Sequence, residues 1–230
     1  MTPRETPPEL RPYGRRAFLA ATGVGLSALL WGKPVWNVVS GAAQPLEAAL
    51  PPGLVPHGWR IYTVASTMPR FDAKTWRLRV DGLVERPLSL SYPELLRLPR
   101  AEQVSTFHCV TGWSVQNVRW AGVRFGDLLR AARPLRRATY LTFVSAERPY
   151  VDTLTIDQAQ LADAMLAYGM DGKPLPREHG APVRVVIPEM YGYKNVKWVE
   201  RIVVGAHAEP GYWEQRGYDV DAWVGRSNAA

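Results

Sequence analysis

The sequence predicts an α+β fold, mixed and strand-rich, packed as a single compact domain. Three observations predict it. Apolar Trp76, Leu78 and Val80 alternate with polar Arg77, Arg79 and Asp81, the period of a strand with one buried face. Twenty prolines are spread through 230 residues, which suits loops and sheets better than a helical bundle because each removes a backbone donor. The recognisable helices are separately capped and most of them are short.

The chain opens on an export pattern. In "YGRRAFLAATGVGLSALLWGK", paired Arg15 and Arg16 precede an uncharged apolar stretch from Ala17 to Gly32. This reads as a twin-arginine-type signal over residues 1–43, with the small residues of "SGAAQPL" offering a cleavage site near Ala43. Left uncut, the segment would serve as a membrane anchor. The expected location is therefore the periplasm or the outer face of the cytoplasmic membrane. Residues 44–58, "QPLEAALPPGLVPHG", show no periodicity and read as a linker, so the folded domain is placed at 59–230.

Within the domain the strand at 76–81 comes first. Ser91 stands three residues before Glu94, a capping box, with Pro93 in the first turn of a short helix. Residues 102–110 form a strand that runs into Cys109. "RFGDLLRAARP" is a helix stopped by Pro134, and "TYLTFVSA" a strand of β-formers. Thr155 and Gln158 cap a helix of about three turns, "IDQAQLADAMLAY", that ends at Gly169. "APVRVVIP" and "VKWVERIVVGA" are strands joined by the glycine-containing aromatic turn "EMYGYKN", and an irregular tail begins near residue 206.

Charge and cysteine usage narrow the chemistry. The net charge is +7, but the arginines are scattered and no basic run is interleaved with aromatics, which argues against nucleic acid as a partner. The one cysteine, Cys109 in "TFHCVTGWS", cannot form an internal disulfide, so in an exported chain it needs another purpose. The four histidines, His57, His108, His179 and His207, have no paired spacing for zinc. A copper centre would find Cys, His and Met in the chain, yet His108 and Cys109 on one strand would point to opposite faces. A cysteine–histidine hydrolase has no local signature here. A molybdenum held by the dithiolene of a pterin needs only one protein thiolate.

Two blocks carry a family resemblance. "FHCVTGWSVQNVRWAGVRFGDLL" and "HGAPVRVVIPEMYGYKNVKWVERIVV", with "VDGLVERPLSLSYPELLRLP" before them, resemble the sulfite-oxidase-type molybdopterin-binding domain. The similarity is greatest to the catalytic subunits of the periplasmic methionine-sulfoxide reductase group, and it spans roughly residues 59–205.

The resemblance implies roles. Cys109 would ligate molybdenum, one Mo-molybdopterin per chain. Arg184 would bind the pterin phosphate, with Asn195, Val196 and Lys197 closing over it. His179 stands where the reductase group has an asparagine, Ser145 where it has a threonine, and Tyr62 and Thr63 match a further contact segment. Among residues that could line the substrate site are His108, Trp113, Arg119 and Lys194. Two places beyond the cysteine, where the reductase group carries an acidic residue, this chain has Thr111.

The activity so implied is two-electron oxygen-atom transfer, with reduction of a small S-oxide or N-oxide as the expected direction. The expected partner is a membrane haem protein or other redox protein, and the expected state a monomer. Three alternatives stay open: a sulfite dehydrogenase running in the oxidising direction, a copper electron-transfer protein, and a binding module of the same fold without chemistry.

Overall fold

Strand pairing organises the chain into two five-stranded sheets, in a computed structural model that describes residues 58–228. The export segment expected at 1–43 and the linker up to His57 lie outside the described residues. Among the described residues no helix is long and apolar enough to cross a membrane.

The first sheet contains β1 (Arg77–Gly82), β2 (Leu88–Ser91), β5 (Tyr140–Ser145), β6 (Val151–Thr155) and β10 (Val199–Gly205), in the order β2-β1-β10-β5-β6. Only β1 and β10 run parallel, with Arg79 opposite Arg201. The second sheet contains β3 (Ala101–His108), β4 (Ser114–Arg124), β7 (Met165–Met170), β8 (Lys173–Pro174) and β9 (Arg184–Val186). Its order is β3-β4-β7-β8, and β9 also pairs with β7.

The helices are short: α1 (Tyr92–Leu96), α2 (Phe125–Ala132) and α3 (Ile156–Ala159). The α1 entry is the expected capping box, with the Ser91 amide donating to Glu94 Oε2 at 2.8 Å. In α3 the Gln158 amide donates to Thr155 Oγ1 at 3.1 Å, and the Thr155 amide donates to Gln158 Oε1 at 2.9 Å. At the end of α2 Arg133 takes a left-handed conformation, φ 54°, and its amide donates to the Leu129 carbonyl at 2.8 Å. Pro134 follows, so that helix stops where the sequence indicated.

One expectation fails. The three-turn helix read from "IDQAQLADAMLAY" is a single turn, α3, and its last four residues begin strand β7. The reason is burial. All six residues of β7 are buried: Leu166 and Tyr168 pack into the large core with Leu78, Leu141 and Ile202. Met165 and Ala167 face the other way, into a smaller cluster with Trp120, Leu175 and Val186. A strand buried on both faces loses its alternation and reads like a buried helix. Strands β4 and β6 have no expectation in the sequence either, although β4 buries Val118 and Trp120 in the smaller cluster and Val123 in the large core.

Beyond β10 the chain adds one short helical turn, Glu214–Arg216, and otherwise irregular backbone. This tail is well anchored. The Tyr212 amide donates to the Val151 carbonyl at 2.9 Å, and the Tyr191 amide donates to the Ala222 carbonyl at 2.8 Å. Tail residues thus hold both the first sheet and the turn between β9 and β10.

Candidate active site

Strand β3 delivers its last residue, His108, opposite Ser114 of β4, and the intervening residues make a closed turn. The Cys109 amide donates to the Trp113 carbonyl at 2.9 Å, and the Gly112 amide returns to the Cys109 carbonyl at 3.1 Å. Gly112 sits at φ +92°, a conformation that a side chain would strain. Cys109 therefore stands in a turn just past the strand, so opposite strand faces do not separate it from His108.

The Cys109 sulfur is 3.1 Å from Thr111 Oγ1. Burial pushes its thiol up, while the Thr111 hydrogen bonds and the Arg60 charge act in the opposite direction. Among the described residues no three His, Cys, Asp or Glu side chains gather into a metal-binding group. A set of two histidines and a cysteine for copper is not assembled there.

A buried cation lies next to this turn. Arg184, the first residue of β9, is only 3% exposed. Its guanidinium donates to the carbonyls of His179 at 3.2 Å and Asn195 at 3.3 Å. It also lies over the rings of Phe107 at 5.3 Å and Trp120 at 5.4 Å. Among the described residues no carboxylate pairs with it. Burial lowers its pKa to about 10, a sign of the cost of keeping the charge out of water.

Two indole N–H groups, of Trp113 and Trp120, are buried without a hydrogen-bond partner in the protein. Such donors are costly to leave unmatched. A buried cation with spare donors and aromatic walls fits a planar, anionic, oxygen-bearing group such as a pterin phosphate.

The residues expected around that group form one hydrogen-bonded network. The Asn195 side chain pins its own turn: Oδ1 accepts from the Ile187 amide at 2.6 Å, and Nδ2 donates to the Met190 and Tyr191 carbonyls, each at 3.3 Å. Its backbone carbonyl is what meets Arg184. Val196 is buried and its carbonyl accepts from the Val185 amide at 2.8 Å, which fixes the turn to β9. Lys197 Nζ donates to the Tyr62 carbonyl at 2.6 Å and lies 4.2 Å from the Trp198 ring centre. Burial, and after it the Arg184 charge, lowers its pKa to about 8. Ser145 Oγ donates to the Lys197 carbonyl at 2.7 Å and accepts from the Glu147 amide at 2.9 Å.

His179 packs its ring edge-on against Trp59, 4.7 Å between centres. Burial, and then the Arg184 charge, brings its pKa down to about 4, so the imidazole is neutral at ordinary pH. Tyr62 is exposed, 6.3 Å between ring centres from Trp113. Thr63 is exposed too, its hydroxyl donating to the Ala65 carbonyl at 3.2 Å.

Two substrate-site expectations need correction. Lys194 is 1% exposed, and its ammonium donates to Asp152 Oδ1 at 2.8 Å, to the Thr153 carbonyl at 2.9 Å and to Glu214 Oε1. It is spent on an internal ion pair that ties the tail to β6. Arg119 pairs with Val104 in the middle of β3 and β4, five residues along from Ser114. At about 3.3 Å per residue that is roughly 16 Å from the cysteine turn. His108 and Trp113 do belong to the cysteine turn and its flanks. The Gly192 amide donates to the His108 carbonyl at 2.7 Å, joining this turn to the one before Asn195.

The sequence reading missed four residues of the site. Trp59 touches Phe107, Trp113, Trp120 and His179. Phe107 and Trp120 flank Arg184. Glu147 is buried, and its carboxylate accepts from the amides of Val64 at 2.8 Å and Ala65 at 3.3 Å, holding the segment after Tyr62 and Thr63. Nine tryptophans in 230 residues was the available signal, but nothing in their spacing says that four rings share one wall.

With this geometry established, comparison with known proteins is informative. A family model described as an oxidoreductase molybdopterin-binding domain matches residues 65–213. The uncharacterized oxidoreductase YuiH of Bacillus subtilis is 38% identical over 154 residues, covering 66% of this chain and 77% of YuiH. The protein-methionine-sulfoxide reductase catalytic subunit MsrP of Gluconobacter oxydans is 33% identical over 172 residues, 67% of this chain and 55% of that subunit. The MsrP of Xanthomonas campestris is 37% identical over 156 residues, 59% of this chain and 48% of its own length. The chain thus spans about half the length of these reductase subunits. Among solved structures, the sulfane dehydrogenase SoxCD of Paracoccus pantotrophus superposes with a TM-score of 0.62 at 26% identity, over 66% of this chain and 44% of that one.

Proposed function

The chain belongs to the oxidoreductase molybdopterin-binding domain family and is a molybdenum oxidoreductase; from that premise we propose that Cys109 is the one protein ligand to the metal and that the substrate is a small S-oxide or N-oxide. When bound, the molybdenum–pterin group supplies two-electron oxygen-atom transfer.

The observation that carries this reading is Arg184, a buried guanidinium with no carboxylate partner among the described residues, joined through Phe107 to the strand that ends beside Cys109. Arg184 would hold the pterin phosphate by its two remaining N–H donors, since Nε and one hydrogen on each terminal nitrogen are directed at the Val185, His179 and Asn195 carbonyls. Lys197 adds a second cation to the same side, and the partnerless indole N–H groups of Trp113 and Trp120 offer further donors. His179, neutral and fixed by Trp59, presents an imidazole to the pterin without adding charge. The rings of Trp59, Phe107 and Trp113 form an aromatic wall beside the half-buried cysteine turn.

The loss of two expected cations from the cysteine turn supports a neutral oxide over sulfite. A doubly charged oxyanion needs several cations at the open position. Lys194 is neutralised inside the fold and Arg119 is roughly 16 Å along the sheet, while Arg60 is the cation whose charge acts on Cys109. The MsrP relatives carry the name of a sulfoxide reductase, which agrees with this direction. Around this core the protein is exported by a twin-arginine-type route, carries one molybdenum per chain as a monomer, and exchanges electrons with a membrane haem protein or similar partner.

The test is metal analysis of protein made in a molybdopterin-competent host, followed by dye-linked assays on sulfoxides, N-oxides and sulfite. One molybdenum per chain, lost in Cys109→Ala, with turnover of an oxide, is the expected result. Sulfite oxidation with no oxide reduced would overturn the direction, and copper in place of molybdenum would overturn the cofactor.

A further inference from the structure

The thiolate of Cys109 is not left bare. Thr111 reaches back to it: its hydroxyl oxygen lies 3.1 Å from the sulfur. The turn fixes this donor. Gly112 at φ +92° and the amide-to-carbonyl bonds between Cys109, Gly112 and Trp113 close the loop around it. Threonine is β-branched and stiff at χ1, so its hydroxyl keeps its place once the backbone is set.

The direction of the hydroxyl bond follows from the chemistry of the bound state. In the free protein either the thiol or the hydroxyl could donate. A sulfur bound to metal carries no proton, so Thr111 must then be the donor. An O–H donor on the thiolate withdraws electron density from it, and the partly buried setting strengthens that bond. Hydrogen bonding around a cysteine sulfur is an established means of setting a metal's redox potential. Less donation from sulfur stabilises the electron-rich, reduced metal and so raises the potential.

Resting on the reading that Cys109 ligates molybdenum, we propose that Thr111 is a positioning residue that tunes the metal through the cysteine, holding its reduction potential up by donating its hydroxyl hydrogen to the thiolate sulfur. Thr111 acts through the ligand that it touches. Its role is to set how readily the site accepts electrons from a donor of moderate potential.

The experiment is an EPR-monitored redox titration of the molybdenum in the loaded wild type and in Thr111→Ser, Thr111→Val and Thr111→Ala. The serine variant keeps the hydroxyl and should titrate with the wild type. The valine and alanine variants lose the hydroxyl donor, and their midpoint should move to lower potential. Pulsed EPR after exchange into D2O should show a hydroxyl-deuteron coupling near the metal–sulfur bond in wild type and serine variant, and the valine spectrum should lack that one coupling.

An unshifted midpoint in the valine and alanine variants, or a serine variant that shifts as they do, would overturn the proposal. If both hydroxyl-free variants melt normally yet take up no molybdenum while the serine variant loads, Thr111 serves metal uptake and the tuning role is overturned. Absence of molybdenum from the wild type, or its retention in Cys109→Ala, would instead overturn the ligand assignment beneath it.

Discussion

The guanidinium of Arg184 lies 5.3 Å above the ring of Phe107, and that contact joins β9 to the last residues of β3. Through it the buried cation and the cysteine turn become parts of one site, although 75 positions separate Cys109 from Arg184 in the sequence. The two residues also give a variant whose two effects have opposite signs. Arg184→Met removes a charge that no carboxylate among the described residues offsets, and an apolar side chain of similar volume relieves the desolvation cost of that buried ion. The cofactor-free variant should therefore melt at or above the wild-type temperature in differential scanning calorimetry. The same change should weaken retention of the molybdenum–pterin group by roughly two orders of magnitude, because a buried charge-assisted contact is lost. A large drop in the melting temperature of the cofactor-free variant would mean that the guanidinium is structural.

Gly192 bears on the same contact from the other side. A Cβ there would come within 2.3 Å of Phe107 Cζ, while the Gly192 amide is held by the His108 carbonyl at 2.7 Å. Gly192→Ala should push the Phe107 ring off Arg184 and destabilise the protein by about 1–3 kcal/mol, the usual cost of overpacking. Urea denaturation of the variant measures it, and a change below ~0.5 kcal/mol would show that the turn yields freely.

Lys194 carries a different expectation. With the lysine removed, Asp152 and Glu214 face each other as buried carboxylates, and breaking such a set costs about 3–5 kcal/mol. Burial already raises the Asp152 pKa to about 7, helped by Glu214 and opposed by Lys194. Lys194→Met should be strongly destabilised, and adding Asp152→Asn and Glu214→Gln should recover most of the loss in the same denaturation experiment. If the triple variant is no better than the single one, charge is not the cause.

His179 predicts a pH dependence. Its folded pKa is about 4 against the ordinary 6.5, so between these values the unfolded chain holds a proton that the folded chain does not. Its contribution to stability is therefore full above about 6.5 and is lost as the pH falls from there toward 4. The slope for one group reaches roughly 1.4 kcal/mol per pH unit. Cofactor-free His179→Gln should show a flatter stability curve between pH 4 and 6.5, read from melting temperatures across that window. A curve parallel to wild type would assign the acid sensitivity to other groups.

Much of this was legible in the chain. Strands β1, β3, β5, β9 and β10 announced themselves by alternation or by β-branched runs, and the boxes at Ser91–Glu94 and Thr155–Gln158 located two helix starts, because capping is a contact over three residues. The length of α3 was not legible, since Met165–Met170 is buried on both faces and offers no period to read. Lys194 was misplaced for a related reason: a lysine in a glycine-containing turn looks exposed until its partners, Asp152 and Glu214, arrive from 42 and 20 positions away.

By itself the sequence determined the local chemistry: a single cysteine beside a histidine, a capped and strand-rich pattern, and two blocks bearing the family's motif; that the cysteine stands in a turn past the strand came from the structure. Tertiary structure alone decided which charges remain available. Pairing of β9 with β7 and the turn before β10 bury Arg184 among carbonyls and rings without a counter-ion among the described residues, while the tail brings Glu214 to neutralise Lys194. A charge's availability depends on partners distant in the chain, and no local pattern of residues encodes where those partners fold to.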